Sequence, residues 1–341
     1  MNTTNKIRGI KSVDLFIKSV GHGAVNWNGA TEITGEKGMV VKNHTMPKLR
    51  GYTNKSGIFK EKEDGPDYEY RKHADDINLK ETQLYISANC FKHHLFREQA
   101  YDLHFAQTNN AIEALCSITG LVRGYMITKG TEPLKKQAAL FVEDSVDQLG
   151  NGNVEILSRC GDRENEKGEL KRDGKTEKKA NSFFTKLTFG DTEYETYASF
   201  NIEELQFISL DSKFDRKALS VSEKNREKAA EAVQDFICSI NTNPDLKPVA
   251  TFGHYVRKGT IYHQSQEGIL LNNDAIQVLI DVMINRIREL CIRQGQGYMV
   301  VQDVTVDYND DKMMRIKDKS ASLNPTPTAD YAVYYEAVDH E

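Results

Sequence analysis

Residues 161–179 read GDRENEKGELKRDGKTEKK: thirteen of the nineteen are charged, and Leu170 is the only large aliphatic side chain. No hydrophobic core accepts such a run, because an unpaired charge is too costly to remove from water. The segment must therefore project from whatever its flanks build. Its six acids nearly cancel its seven bases, the balance of a solvated loop. Directly after it, residues 181–211 (NSFFTKLTFGDTEYETYASFNIEELQFISLD) are dense in aromatic and β-branched residues, which predicts strands or a projecting hairpin. The basic end KKANSFFTK reads as the base of an arm that reaches over a nucleic-acid strand or an adjacent subunit.

The rest of the chain has the apolar content to fold, at 39% hydrophobic over 341 residues. Residues 11–20 (KSVDLFIKSV) alternate Val13, Leu15 and Ile17 against Asp14 and Lys18, the pattern of a half-buried strand. Residues 30–62 are polar and loop-like. A helix is predicted over 91–105, and 112–126 reads as a helix end running into a strand. A strand is expected over 138–146. Residues 224–240 place Ala229, Val233, Phe236 and Ile237 on one helical face. Residues 273–292 form the clearest helix, capped by Asn273 or Asp274, with Ile276, Leu279, Ile280, Met283, Ile287 and Leu290 as its stripe. RQGQGYMVVQDVTVDY then gives a closing strand. The tail is expected to be peripheral, with Tyr331, Tyr334 and Tyr335 available to dock it to a neighbour. This order predicts an α+β fold with large insertions and no internal repeat.

Several chemistries fall away. Neither GxxxxGK[ST] nor a GxGxxG in a strand-to-helix context is present, so ATPase and dinucleotide-dependent readings have no phosphate cradle. Gly21-His22-Gly23 and Gly295-Gln296-Gly297 read as tight turns. The five cysteines (Cys90, Cys116, Cys160, Cys238, Cys291) form neither a CxxC pair nor a disulfide framework, which suits a reducing cytoplasm. No run approaches a membrane span and no apolar leader opens the chain, so a soluble, cytoplasmic protein without membrane contact is expected. Cys90, His93, His94 and His104 raise a metal site, but the same residues fit an amphipathic helix with its histidines facing solvent or RNA. No metal or other cofactor is expected. His22, beside glycines, could be a general acid–base, but no paired carboxylate or second histidine is near it in sequence, so a backbone-contact or structural histidine fits better.

The net charge of −5 excludes a uniformly basic surface, so any nucleic-acid site must be local. PKLRGYTNK places Lys48, Arg50 and Lys55 around Gly51 without an acid. Lys92 and Arg97 sit on the predicted helix, Arg123 precedes Gly124, and Arg257 and Lys258 precede Gly259. Arg293 stands before Gly295, and Lys178, Lys179 and Lys186 surround Phe183 and Phe184. A cation beside glycine lets a phosphate reach main-chain N–H groups while its charge is neutralised. Interleaved aromatics offer faces for unstacked bases. Each cation alone could equally be solvated surface.

Taken in order, IKSVDLFIKSVGHGAVNWNG, MPKLRGYTN, SITGLVRGYM, LFVEDSVDQLGNGN, NSFFTKLTFGDTEY, ELQFISLD and IRQGQGYMVVQDVTVDYND resemble a known group. They are similar to the backbone subunits of CRISPR effector complexes, the Cas-seven family of the RAMP superfamily, and most closely to the variant type I-F system. The resemblance implies one domain over 1–341: an RRM/ferredoxin-like antiparallel-sheet palm with helices behind. A finger insertion would fall near 26–85 and a thumb β-hairpin near 151–200. It implies a non-catalytic subunit of antiviral defence that stacks head to tail along a guide RNA (crRNA) in a Cascade-type helical filament. Each thumb kinks the guide, which is presented for pairing with target DNA.

Other expected partners are an RNA-processing endonuclease, a subunit capping the RNA 5′ end and a helicase-nuclease. On this resemblance Lys48 and Arg50 contact guide phosphates, with Lys55 supporting, and His22, Lys92, Arg97, Arg123, Lys179, Phe183, Phe184, Lys186, Arg257, Lys258 and Arg293 complete the candidate RNA site. RNA-cleaving relatives carry an aspartate between the first strand and the basic loop; residues 22–50 here hold only Glu32 and Glu36. That departure argues against cleavage by this subunit. The alternative function is a metal- or histidine-dependent ribonuclease built on His22 or on the Cys90–His104 cluster.

Overall fold

The alternation of Val13, Leu15 and Ile17 favours extended backbone, and these residues lie in β1 (Ser12–Ala24), at the centre of the main sheet. The computed structural model describes residues 7–27, 31–34, 40–44, 47–50, 60–62, 65–67, 83–97, 111–129, 132–158, 170–172, 175–177, 183–213, 216–261, 263–294, 296–311 and 314–338. The remaining main-sheet strands are, in chain order, β2 (Tyr85–Ile86), β3 (Leu140–Val142), β4 (Ser145–Asp147), β5 (Asp191–Asn201), β6 (Cys291–Gln294) and β7 (Gln296–Asn309). They lie in the order β6-β7-β1-β5-β4-β2, with β3 pairing β5 beside β4, and all pairings are antiparallel. The single strand expected over 138–146 is thus two short ones that pair β5 in succession. A second antiparallel sheet joins Phe207–Ser209, Ser265–Leu271, Ala250–Arg257 and Tyr335–Ala337 in that order.

Three helices have lengths and stripes that matter for the site: α1 (Ala88–Leu95), α2 (Arg226–Ile240) and α3 (Asn273–Arg288). Ile276, Leu279, Ile280, Met283 and Ile287 are buried as predicted, in one core with Val13, Leu15 and Ile17. The cap of α3 is Asn272, not Asn273 or Asp274. Its Oδ1 accepts from Ala275 N at 2.9 Å, while Asn273 Oδ1 accepts from Tyr331 N and Asp274 Oδ2 from Lys247 N. Three adjacent cap-type residues therefore divide between one cap and two loop anchors. The helix stops at Arg288 because residues 291–294 pair with β7.

The tail is not peripheral. Tyr335–Ala337 is an edge strand of the second sheet, Tyr335 stacks on Phe207 with ring centroids 4.1 Å apart, and Tyr331 Oη donates to Gln277 Oε1 at 2.7 Å. All three tyrosines are buried against their own chain. The sequence places Asp14 on the polar side of β1, yet it is fully buried. Residues 314–324 cover that end of the sheet, and the carboxylate accepts from Ser199 Oγ at 2.6 Å, Asn309 Nδ2 at 2.8 Å and Arg315 N at 3.1 Å. Beside it Arg315 forks onto buried Asp307, at 2.7 and 3.0 Å, which raises the guanidinium pKa through those bonds.

Lys136 is a buried cation. Its Nζ donates to Glu204 O at 2.7 Å and Gln137 O at 3.0 Å, fastening the hairpin of Tyr125–Lys129 and Glu132–Lys136 to the helical turn Ile202–Gln206. Burial lowers its pKa from 10.5 to about 8, against the raising influence of Glu204.

Asp14→Ala strands three buried donors, so chemical denaturation should show a loss of roughly 2–4 kcal/mol. For Lys136, the unfolded chain binds the proton more tightly, so unfolding free energy rises with pH between about 8 and 10.5 and is flat below. Denaturation series at pH 7 to 10 should show wild type gaining on Lys136→Met by up to about 1.4 kcal/mol per pH unit above pH 8. A constant gap would mean that Lys136 does not titrate there.

Candidate nucleic-acid interface

Both edges of β1 are paired through its C-terminal end, where His22 stands opposite Asp191 of β5 and opposite Tyr298 of β7. Tyr298 in turn pairs with Arg293 of β6. The register therefore lays Asp191, His22, Tyr298 and Arg293 in one row across four strands. His22 Nδ1 lies 2.9 Å from Asp191 Oδ1. Gly21-His22-Gly23 is thus not a turn but paired strand. A Cβ at Gly21 would stand 2.1 Å from Tyr298 O, and one at Gly23, where φ is +73°, 2.1 Å from Gln296 O. Glycine is required for the strands to close at this end. The row opens into a groove of about 440 Å³ lined by His22, Arg293, Gln294, Gln296, Gly297 and Tyr298.

Helix α1 borders the same groove, because Gln294 Nε2 donates to His94 Nε2 at 2.9 Å. A ring nitrogen that accepts is unprotonated, and the His94 pKa is indeed lowered, by burial first and then by His93 and Arg97. Two residues back, Lys92 is also lowered, by burial and by Arg123. Cys90 is raised by burial, an effect opposed by its hydrogen bond with Asn26 and by Lys48. Three alternate positions along one short helix thus each sense a different cation.

The basic loop reaches α1 by strand pairing. Leu49 bridges Leu84, Lys48 N donates to Asn26 O, Tyr85 N to Lys48 O and Arg50 N to Gln83 O. Leu49 is buried and Arg50 exposed, so the pairing turns the apolar residue inward beyond β2 and leaves its basic neighbours outside. Lys48 Nζ sits 5.9 Å from the Tyr85 ring centroid and Arg123 Cζ 6.0 Å from that of Phe96. The ion pairs of the described residues join His22, Lys213, Arg226, Arg257, Lys258, Arg315 and Lys317 to acids; Lys48, Arg50, Lys92, Arg97, Arg123 and Arg293 are in none of them.

The chain between β4 and β5 leaves the sheet beside this groove. Gly152–Ser158 and Phe183–Phe189 pair from Gly152↔Phe189 to Ser158↔Phe183, and Leu170–Arg172 pairs with Lys175–Glu177. Phe183, Phe184 and Lys186 thus lie on a ribbon, Phe183 at its outer end. The base of the ribbon is pinned by buried Asp147, which accepts from Gly150 N and Glu193 N at 3.0 Å and Leu149 N at 3.3 Å. Gly23 N donates to Gly190 O, which ties the base to β1.

Arg257 and Lys258 are not brought to the groove. They lie on the second sheet, where Arg257 forks onto Glu203, Nη2 to Oε2 at 2.9 Å, and Lys258 pairs with Glu336 at 3.2 Å. Both are cations neutralised within the fold, and Arg257 lines a separate cleft of about 680 Å³. Lys55 and Lys179 lie outside the described residues. So does His104; among the described residues no three His, Cys, Asp or Glu side chains meet as a metal site. Asp147, Tyr298 and Gln294 carry the site's geometry and were not singled out from sequence, since their roles depend on partners far along the chain.

The family model described as type I-Fv CRISPR-associated protein Cas7fv-like matches residues 9–338. The chain belongs to that family. A comparison with curated protein sequences finds no match. The matched span of this Cas7fv-like chain holds the main sheet, the second sheet and the ribbon together, and no helix among its described residues is long and apolar enough to cross a membrane.

Asp147 of the Cas7fv-like fold gives a direct test of the ribbon's attachment. Asp147→Ala removes the acceptor of three N–H groups, so amide hydrogen exchange at Leu149, Gly150 and Glu193 should accelerate at least tenfold while amides of α3 keep their protection. Unchanged exchange would show that the ribbon is held by strand pairing alone.

Proposed function

We propose that this Cas7fv-like chain is a non-catalytic guide-RNA-binding subunit that repeats head to tail along a crRNA and presents it for pairing with target DNA. The observation that carries the reading is the set of cations around α1 and the groove that have no acidic partner among the described residues: Lys48, Arg50, Lys92, Arg97, Arg123 and Arg293. Elsewhere Arg257, Lys258, Arg226 and Arg315 are matched by carboxylates. Phosphates of a single strand supply the missing anions, and phosphate contacts fix register without reading sequence.

On this reading the main sheet serves as the palm, in the manner of an RRM-like fold, and residues near 26–85 as the finger. The ribbon within 151–200 serves as the thumb that closes over the guide, with Phe183, Phe184 and Lys186 facing RNA or the next copy. Lys55, Lys179 and His22 are taken as further guide contacts on this reading. The remaining effector subunits, a processing endonuclease, a 5′-end cap and a helicase-nuclease, would join the ends or flank of the assembly in the cytoplasm.

Co-expression with a guide RNA, followed by size exclusion with absorbance at 260 and 280 nm, should yield a high-mass species whose RNA is intact and whose length follows that of the guide. RNA-free monomer would overturn the reading. Lys92→Ala with Arg123→Ala should weaken binding of single-stranded RNA and flatten the log–log salt dependence by about 1.4, near 0.7 for each lost phosphate contact.

A further inference from the structure

The cleft on the second sheet plays no part in the nucleic-acid reading. Its wide part, about 680 Å³, is within the range of small-ligand pockets. Glu203, Glu204, Arg216 and Gln266 line it, and the same four line a recess of about 20 Å³ together with Lys136 and Tyr335. The recess has room for one water or one ligand oxygen.

Two polar side chains of this lining are buried without a partner. Gln266 is 8% exposed and Tyr335 4%, and neither the amide nor the hydroxyl has a hydrogen-bond partner among the described residues. The buried phenols of Tyr125, Tyr255 and Tyr331 all have one, in Ala218 O, Thr251 O and Gln277 Oε1. Burial first, and then Glu203 and Glu204, push the Tyr335 phenol up to about 12 against the opposing Arg216 and Arg257, so it remains a hydroxyl donor at neutral pH. Lys136 gives two of its three N–H groups to carbonyls and keeps the third. A buried polar group without a partner is costly, so a pair of them facing one recess asks for a ligand.

Charge selects its sign. Arg257 is matched by the forked Glu203, and Lys136 is offset by Glu204. Lys135 and Arg216 are in no ion pair of the described residues. The lining therefore holds four cations (Lys135, Lys136, Arg216, Arg257) against two carboxylates, an excess that only an anion balances.

We propose that this cleft binds an acidic peptide segment of a partner protein, with a side-chain carboxylate on Arg216 and Lys135 and the adjoining main-chain amide on Gln266 and Tyr335. A guanidinium receives a carboxylate through two parallel hydrogen bonds. The carboxamide of Gln266 both donates and accepts, so it answers a peptide group reciprocally. Ile261, 80% exposed on the cleft lining, offers an apolar contact to the residue beside the acid. A nucleic-acid strand fits less well, because its successive phosphates would meet Glu203 and Glu204. The site does not depend on the guide-binding reading, since Arg216, Gln266 and Tyr335 belong to no part of that surface.

The test is saturation-transfer NMR on the full chain with three probes at millimolar concentration: an acetylated leucine-glutamate-leucine amide, the same peptide with glutamine for glutamate, and free glutarate. Wild type should bind the glutamate peptide roughly tenfold more tightly than the glutamine peptide, and more tightly than glutarate. Arg216→Gln, a change at an exposed position, should remove the preference for glutamate. Gln266→Leu should weaken both peptides and leave glutarate unaffected. Binding of single-stranded RNA and its salt dependence should be the same in Arg216→Gln as in wild type.

Equal binding of the two peptides by wild type, or a preference that survives Arg216→Gln, overturns the site. So does the absence of binding by all three probes. Glutarate binding as tightly as the glutamate peptide overturns the peptide occupant in favour of a small free carboxylate. Displacement of the glutamate peptide by oligoadenylate would assign the cleft to nucleic acid and overturn the proposal. Each of these results is separate from the Lys92→Ala with Arg123→Ala measurement, so the cleft and the guide-binding reading fail independently.

Discussion

The pairing of β1 on both of its edges governs the rest of the molecule. A strand hydrogen-bonded to β5 and β7 from Ser12 to His22 has no backbone group left to offer a partner over that length. What it offers instead is a fixed platform. At one end, polar side chains turned away from the core are covered by residues 314–324, and Asp14 and Asp307 become internal acceptors. At the other end, glycines bring β7 close, and the ribbon, the β6–β7 hairpin and α1 converge around His22. Stability is concentrated at the first end and open chemistry at the second.

The fold was largely legible where local pattern and final environment agree. The stripe of α3 and the alternation of Val13, Leu15 and Ile17 each depend on a period that burial simply reinforces, and the aromatic and β-branched run after the charged segment has the composition of the strands it forms. The misses share one cause. Asp14 looks solvent-facing until Ser199 and Asn309 are placed beside it, 185 and 295 residues away. Asn272, Asn273 and Asp274 are all competent caps, and only Lys247 and Tyr331 decide which remains free for the helix. Tyr331, Tyr334 and Tyr335 read as docking residues because their own chain supplies the dock. Side-chain partners distant in sequence leave no periodic trace.

The candidate interface was legible in part for the same reason. Cations near glycine stand out locally, and four of them, Lys48, Arg50, Arg123 and Arg293, lie with Lys92 and Arg97 around α1 and the groove. Arg257 and Lys258 have the same local form, yet Glu203 and Glu336 neutralise them. The difference lies wholly in what faces each cation. Net charge is a poor guide here, since Asp14, Asp147 and Asp307 are buried acceptors of backbone and side-chain donors and contribute nothing to the surface that a polyanion meets.

The depressed pKa values of Lys92 and His94 describe an edge under mutual repulsion. Each is held by burial beside another cation, so the charged form is destabilised by both desolvation and like charge. A fold could remove that repulsion with one aspartate, as it does at Arg315. Among the described residues the neighbours of Lys48 and Arg123 are instead aromatic rings, which hold an ammonium or guanidinium without cancelling its charge. The positive potential therefore survives folding among the described residues, which is what makes this edge suited to an anion. Whatever binds there stabilises the folded edge by its own charge, so occupancy and local stability rise together. In a row of copies sharing one polyanion, each bound copy would then be firmer at the edge where the strand enters and where the ribbon is anchored.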